Sequence, residues 1–235
     1  MEILKLLSTI DVPISAARIQ GELNLPRSST YHLLAEMVDA GFVAHLPEHK
    51  TYGLGLAAYS MASAYVTQQP LVRMATRDLE QCAALVGGSG HLSRMAGSEI
   101  LYLQEVRAAG ATSLVTEVGV RLQAHKTASG RVMLAHLPDA EVRAAFDTAG
   151  GSGFAALKER LSLVAARGWD QEIEEITRGQ ASVAAPILDH LDRPAAAVAV
   201  TYPVGTSDTK VDAAIRALLE VSDKVAAKMY RNRKK

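Results

Sequence analysis

The chain has 235 residues, about 1.6 units at roughly 150 residues per domain, which leaves one large domain or two modest ones and excludes a larger multidomain machine. AVILMFWYC residues make up 49% and DEKR residues 21%, with 17 Gly and 8 Pro, so collagen-like and low-complexity chains are excluded and a packed core is affordable. Lys and Arg number 25 against 25 Asp and Glu, so no global field announces nucleic acid or an anionic membrane, and any such contact must be local.

Aromatic residues are only 5%, which makes the expected core mostly Ala, Leu and Val. Cys82 is the single cysteine; it has no partner for an internal disulfide and no CxxC spacing, which fits a reducing, cytoplasmic setting. The start, Met1 to Lys5, has an early acid and too short an apolar run for a signal peptide. The longest apolar stretch, Pro194 to Val204, falls short of the roughly 20 residues that span a bilayer, so no membrane partner is expected.

The first 55 residues predict three short helices and two strands. Ile3, Leu4 and Leu7 recur at helical spacing from Glu2 to Leu7, and because the chain opens inside this helix a further N-terminal segment is expected. Ser15 is an N-cap for a helix from Ala16 to Leu23, with Ile14 and Ile19 in the positions of a hydrophobic staple. That helix ends at Asn24, Leu25-Pro26 turns, and a third helix opens at Arg27 with Ser28 or Ser29 as its cap.

Leu33, Leu34 and Met37 form the expected inner face of the third helix, which leaves Arg27, Ser28, Ser29, Tyr31, His32 and Glu36 for its other sides. Gly41 stops it, Phe42 to His45 alternates like a strand, Pro47 to Lys50 turns and Thr51 to Leu54 returns. The pattern is a helix-turn-helix with a β-hairpin wing. Leu54 to about Gln69 predicts a linker helix rich in small and apolar residues, expected to pack on its counterpart in a second subunit or else within its own chain.

From Leu71 the pattern turns mixed. A helix is expected to Val86, then a hairpin of His91 to Met95 and Ile100 to Val106, a strand near Ser113 to Glu117, and helices at Ala128 to His136, Ala140 to Asp147 and Phe154 to Arg167. Two apolar strands, Ala181 to Leu188 and Ala195 to Tyr202, precede a terminal helix from about Thr209. The expectation is an α+β domain whose antiparallel sheet is covered by helices, with a pocket on one face. The organisation reads as a winged helix-turn-helix over 1–55, a linker helix over 56–69 and an α+β domain over 70–235.

The start of the third helix carries the chemistry of a major-groove reader. A helix fits that groove, residues near its N-terminus reach base edges, and flanking groups hold phosphates. Arg27, Ser28, Ser29, Thr30, Tyr31 and His32 supply those types, with Lys50 of the wing directed at the neighbouring backbone. Residues 1–60 hold four basic groups against six acidic ones, so one copy binds weakly and two copies on a palindrome are needed. A protein-interaction module built on the same fold is the alternative.

Enzyme signatures are poor. Gly87-Gly88-Ser89-Gly90-His91 and Gly150-Gly151-Ser152-Gly153-Phe154 both lack the last glycine of a nucleophile elbow, and no Walker loop, HExxH or dinucleotide fingerprint occurs, so no cofactor is expected. His45 and His49 lie on the wing and read as exposed polar residues rather than metal ligands, and Cys82 reads as core. The basic end, Lys224, Lys228, Arg231, Arg233, Lys234 and Lys235, reads as a solvated tail that complements the last helix's dipole.

Leu25-Pro26-Arg27-Ser28-Ser29-Thr30-Tyr31-His32-Leu33-Leu34, Gly41-Phe42-Val43 and Tyr52-Gly53-Leu54-Gly55 continue in order with Gly119 to Leu122, Ala128 to Ala135, Arg167-Gly168-Trp169, Val183 to Ile187 and Ala196 to Thr201. Taken in this order and spacing, the chain resembles the IclR family of bacterial transcription regulators over nearly its whole length. His32 stands where the family usually has Arg and Ser29 where it often has Thr, so the operator does not carry over.

The resemblance makes the α+β domain over 70–235 a GAF-like effector-binding and oligomerisation domain and implies a DNA-binding dimer or dimer of dimers. It also implies a small organic effector, often a carboxylate or aromatic acid, in a pocket lined by Leu114, Ala128, Ser129, Glu172, Gln180, Ser182, Ala199 and Thr201. Ala128 and Ser129 open a helix whose N–H groups suit an anion, and Ser182 and Thr201 turn hydroxyls inward unless they are simply satisfied sheet residues. Glu172 opposes an anionic ligand unless one of the two is protonated. A small-molecule enzyme or hydrolase with a vestigial winged helix is the rival, with Ser129, Ser182 and Glu172 its only candidates. The resemblance leaves open whether transcription is raised or lowered.

Overall fold

The computed structural model describes residues 1–68, 70–112 and 116–231, and it divides into two compact units, Met1–Gln68 and Gln69–Lys235. In the first unit, α1 (Glu2–Ser8), α2 (Ala16–Leu23) and α3 (Arg27–Asp39) pack around Ile3, Leu7, Ile19 and Leu34. The Ser15 hydroxyl accepts from the Arg18 N–H at 3.3 Å and caps α2, while Asn24 closes that helix in the left-handed conformation at φ 49°. Both act at positions where helix ends leave backbone groups without partners.

Strand β1 (Ile14–Ser15) pairs antiparallel with β3 (Thr51–Leu54), which pairs with β2 (Val43–Leu46), so the expected two-stranded wing has a third strand. After α3, Gly41 takes φ 73°, and the N–H groups of Phe42 and Gly41 donate to the carbonyls of Met37 and Val38. This is a Schellman stop, which turns the chain directly into the wing. At Gly55 a Cβ would meet the Gly41 carbonyl oxygen at 2.2 Å, so only glycine lets the wing close onto that turn. Helix α4 (Leu56–Gln68) follows, with Leu56, Tyr59 and Met61 exposed.

In the second unit a six-stranded, all-antiparallel sheet runs in the order β6-β5-β4-β9-β8-β7: β4 (Ser89–Ala96), β5 (Glu99–Arg107), β6 (Arg121–Gln123), β7 (Asp170–Ile173), β8 (Gln180–Leu188) and β9 (Pro194–Pro203). Helices α5 (Pro70–Val86) and α9 (Asp208–Ala226) cover one face. The buried stripe of α5, Leu71, Ala75, Leu79, Cys82 and Val86, recurs at helical spacing, and Lys224 of α9 reaches Asp78 of α5 at 2.7 Å. Lys224 is therefore a clasp rather than part of a solvated tail; residues 232–235 lie outside the described residues.

Helix α6 (Ala128–Leu134), with α7 (Asp139–Thr148) and α8 (Phe154–Arg167) outside it, covers the other face. Strands β6 and β7 were not foreseen, and the strand expected near Ser113 to Glu117 falls mostly outside the described residues, with Thr116 and Glu117 irregular. The sheet's two sides differ in chemistry. Val183, Ala185, Val198 and Val200 line one side, whereas Ser182, Ala184, Ala199 and Thr201 line the side beneath α6.

Candidate functional site

The exposed start of α3 gathers Arg27, Ser28, Ser29, Tyr31 and His32 on the surface of the first unit. Arg27 lies over the Tyr31 ring, 5.8 Å from its centre, one turn apart on the helix. Pro26, not Ser28 or Ser29, is the N-cap, because Pro26 has an extended backbone and its carbonyl accepts from the Thr30 N–H at 3.0 Å. Both serine hydroxyls thus stay at the surface.

Thr30 departs from the expectation. Its side chain is fully buried and its hydroxyl donates to the Pro26 carbonyl at 3.0 Å, so it is turned into the core and fastens the helix start. Leu33, expected inside, is exposed, and the inward stripe runs instead through Thr30, Leu34, Met37 and Val38. Lys50 sits exposed at the tip of the wing in a left-handed turn, φ 52°. Of the four basic residues in this unit, Lys5 pairs with Glu2 and Arg18 with Glu22; among the described residues Arg27 and Lys50 have no carboxylate partner. Two cations of this unit are therefore left unpaired among the described residues, Arg27 in the polar helix start and Lys50 on the wing.

In the second unit a cavity of about 20 Å³, room for roughly one water molecule, lies between the sheet and α6. Glu172 of β7, Ser182 of β8 and Thr201 of β9 stand opposite one another in register and form its floor. The Ser182 hydroxyl donates to Glu172 Oε1 at 2.7 Å and lies 2.9 Å from Thr201 Oγ1, while the Glu175 N–H donates to Glu172 Oε2 at 2.9 Å. Burial pushes the Glu172 carboxyl above its usual range, against the pull of the Ser182 and Glu175 donors.

Ala128 and Ser129 close the cavity from α6, Ala199 adds a small apolar step, and Gln180 stands at the rim. Tyr102, Thr116, Thr127, Ile176 and Thr177 complete the described lining and were not foreseen. Leu114, placed here by the resemblance, lies outside the described residues. The Thr127 hydroxyl caps α6 by accepting from the Gly130 N–H at 2.9 Å. That helix has only seven residues, all buried, so it is short for the anion-binding helix that was expected.

One wall is braced by an ionic cluster. Arg131 of α6, 1% exposed, donates to Asp170 at 2.5 Å, to Glu175 at 3.0 Å and to the His125 carbonyl at 3.1 Å. Arg160 of α8 reaches both of these carboxylates, and Arg167 reaches Asp170. Because the Glu175 amide also holds Glu172, the cluster ties α6, α8 and the turn after β7 to the cavity carboxylate. The sequence signal for this, Asp170 and Glu172 alternating two apart on one side of a strand, is inverted: the acids face inward and Ile173 faces out.

Among the described residues no group of three or more His, Cys, Asp or Glu side chains could hold a metal ion, and no helix is long and apolar enough to cross a membrane. His45 stacks on Tyr52 across the wing, with ring centres 4.6 Å apart.

Residues 63–227 match the family model for the bacterial transcriptional regulator IclR C-terminal domain, and residues 1–47 match the IclR helix-turn-helix domain. The chain belongs to the IclR family. A glycerol operon regulatory protein of Streptomyces griseus is 30% identical over 86% of this chain and 82% of its own length. The IclR regulator of Alicyclobacillus acidocaldarius superposes with a TM-score of 0.82 at 20% identity, covering 96% of this chain and 95% of that one. An IclR homologue of Microbacterium hydrocarbonoxydans, solved with 4-hydroxybenzoate, gives 0.79 at 20% identity over 97% of each chain. As an IclR-family member, the chain is a DNA-binding transcriptional regulator with an effector-binding C-terminal domain.

Proposed function

We propose that this IclR regulator reads DNA with the exposed start of α3 and the wing, and that a small organic effector in the cavity under α6 sets how two such reading units are spaced. Residues 1–55 serve as the reading module, 56–69 as the dimerisation helix and 70–235 as the sensor. Arg27 takes a guanine edge or a phosphate, Ser28, Ser29, Tyr31 and His32 flank it, and Lys50 holds the backbone beside the groove. The single observation that carries this reading is that Arg27, in the polar start of α3, and Lys50, on the wing, have no carboxylate partner among the described residues of a net acidic unit.

Such sparse positive charge makes one copy a weak binder, which favours a homodimer, or a dimer of dimers, on a palindromic operator. The exposed Leu56, Tyr59 and Met61 of α4 supply the apolar surface for it. Successive major grooves are about 34 Å apart, so an effector acts by favouring one spacing of the two heads over another, through its differential affinity for the two states. Whether transcription falls or rises then depends on where the operator lies, and the work is done in the cytoplasm, where the DNA is.

The effector is a small organic molecule of the carboxylate or aromatic-acid kind, held by Ser129, Glu172, Gln180, Ser182 and Thr201 with Ala128 and Ala199 as apolar walls. The Microbacterium neighbour's 4-hydroxybenzoate supports that class. A buried Glu172 already pushed toward its neutral form accepts an anionic ligand by keeping a proton, so affinity for an acid falls as pH rises. The cavity is small, so an organic effector enters only if its lining gives way. The enzyme alternative lacks support. Ser182 has a carboxylate partner, but among the described residues no histidine or lysine lies within hydrogen-bond distance to activate it.

Gel shifts on genomic fragments at two salt concentrations test the reading. Arg27→Ala is expected to weaken DNA binding at least tenfold and to lower the salt dependence; normal binding by that variant would displace α3 as the reader. Ser182→Leu is expected to abolish the response to effector while DNA binding persists. An intact response would remove Ser182 from the effector site.

A further inference from the structure

The polar row on the sheet does not end at the cavity. Glu172, Ser182 and Thr201 stand in register on β7, β8 and β9, and the residue opposite Thr201 on β4 is Ser89. Two residues on, Ala184, Ala199 and His91 form the next row, and Ser93 stands opposite Tyr102 in the one after. Residues directly opposite in an antiparallel pair share a face. Gly90, between Ser89 and His91, backs onto Leu79 of α5, which puts Ser89, His91 and Ser93 on the cavity side of β4.

These three side chains are at most 1% exposed, and among the described residues Ser89 Oγ, Ser93 Oγ and both ring nitrogens of His91 have no hydrogen-bond partner. Buried polar atoms are paired in the great majority of cases, so four such atoms on one strand, all facing one way, call for a ligand. The cavity stops at Ala199 and Tyr102. Ala199 is His91's register partner, and the Tyr102 ring meets the imidazole edge-on at 5.4 Å.

We propose that the effector site continues along the sheet into a second subsite, formed by Ser89, His91 and Ser93, which takes an uncharged hydrogen-bonding group, a hydroxyl or carbonyl, at the end of the ligand remote from Glu172. This rests on the cavity being the effector site. The far end offers no net charge: Arg107, opposite Ser89 on β5, and Glu105, opposite His91, hold each other in a two-pronged pair at 2.8 and 2.9 Å. A neutral imidazole carries one donor and one acceptor, and serine hydroxyls carry both, which matches a hydroxyl on both counts. Three strand spacings, about 14 Å between backbones, separate Glu172 from Ser89, a span suited to one ring with polar groups at opposite ends.

Titration calorimetry of the full chain with benzoate and 4-hydroxybenzoate tests the subsite. The wild type is expected to bind 4-hydroxybenzoate at least tenfold more tightly than benzoate. His91→Phe is expected to reduce that preference to within twofold, and His91→Gln, which keeps a donor and an acceptor, to retain part of it. His91→Phe removes two unpartnered polar atoms and is expected to melt no lower than the wild type; should it fail to fold, Ser89→Ala with Ser93→Ala carries the same comparison.

A tenfold preference surviving in these variants overturns the inference, as does a wild type that does not distinguish the two probes or binds neither. Ser182→Leu separates the two claims. Loss of both probes in Ser182→Leu with the preference intact in His91→Phe overturns the second subsite alone, whereas normal binding by Ser182→Leu overturns the cavity assignment beneath it.

Discussion

The two units handle polar chemistry in opposite ways. In the first, Arg27, Ser28, Ser29, Tyr31, His32 and Lys50 all stand in solvent, and among the described residues Thr30 is the one polar side chain buried. In the second, Arg131, Asp170, Glu172, His91 and several hydroxyls lie under helices. Exposed groups add little to stability and are free to change with the partner, whereas buried ones must be paired or must wait for a ligand. The reader's function is therefore separable from its fold, and the sensor's is not.

The contrast makes graded demands on unfolding experiments. Arg131→Met is expected to have the largest effect: it removes the one fully buried arginine that holds Asp170 and leaves only the half-exposed Arg160 and Arg167, at a cost of up to about 3–5 kcal/mol. Arg131→Met with Asp170→Leu should recover most of that loss in chemical denaturation. Leu34→Ala in α3 should cost about 2–5 kcal/mol, confined to the first unit; calorimetry that showed the second unit's transition moving as well would refute independent units.

His91 provides a pH signature next in size. Burial lowers its pKa from 6.5 to about 4, so the folded state keeps the ring neutral while the unfolded chain takes up a proton first. Stability of the second unit should fall by on the order of 3 kcal/mol as pH drops from 6.5 through 4, and His91→Phe should flatten that part of the profile. Arg27→Ala should change stability least, within about 0.5 kcal/mol, despite its loss of DNA binding. A marked drop in its melting temperature would mean that the reading face is part of the fold.

Legibility followed the same division. The reader's helix starts and stops depend on neighbours a few residues apart, and Ser15, Asn24 and Gly41 act where their chemistry predicts. Thr30 and Leu33 were mistaken for each other's side because the helix enters the core about one turn earlier than the apolar residues suggest; a buried threonine is invisible to hydrophobic periodicity when its hydroxyl is satisfied by a carbonyl one turn back. Strand β7 was missed for a related reason. Its inward residues are Asp170 and Glu172, tolerated there only because Arg131, Arg160 and Arg167 arrive from helices far along the chain.

From the order of residues alone came the winged helix and the polar start of α3, since both rest on local backbone geometry, while the inward turn of Ser182 and Thr201 came from the family resemblance together with strand alternation. The arginine cluster, the row from Glu172 to Ser89 and the burial of His91 depended on strands β7, β8, β9 and β4 lying side by side. A charge or an imidazole has no preferred surroundings until tertiary packing removes water and decides what replaces it.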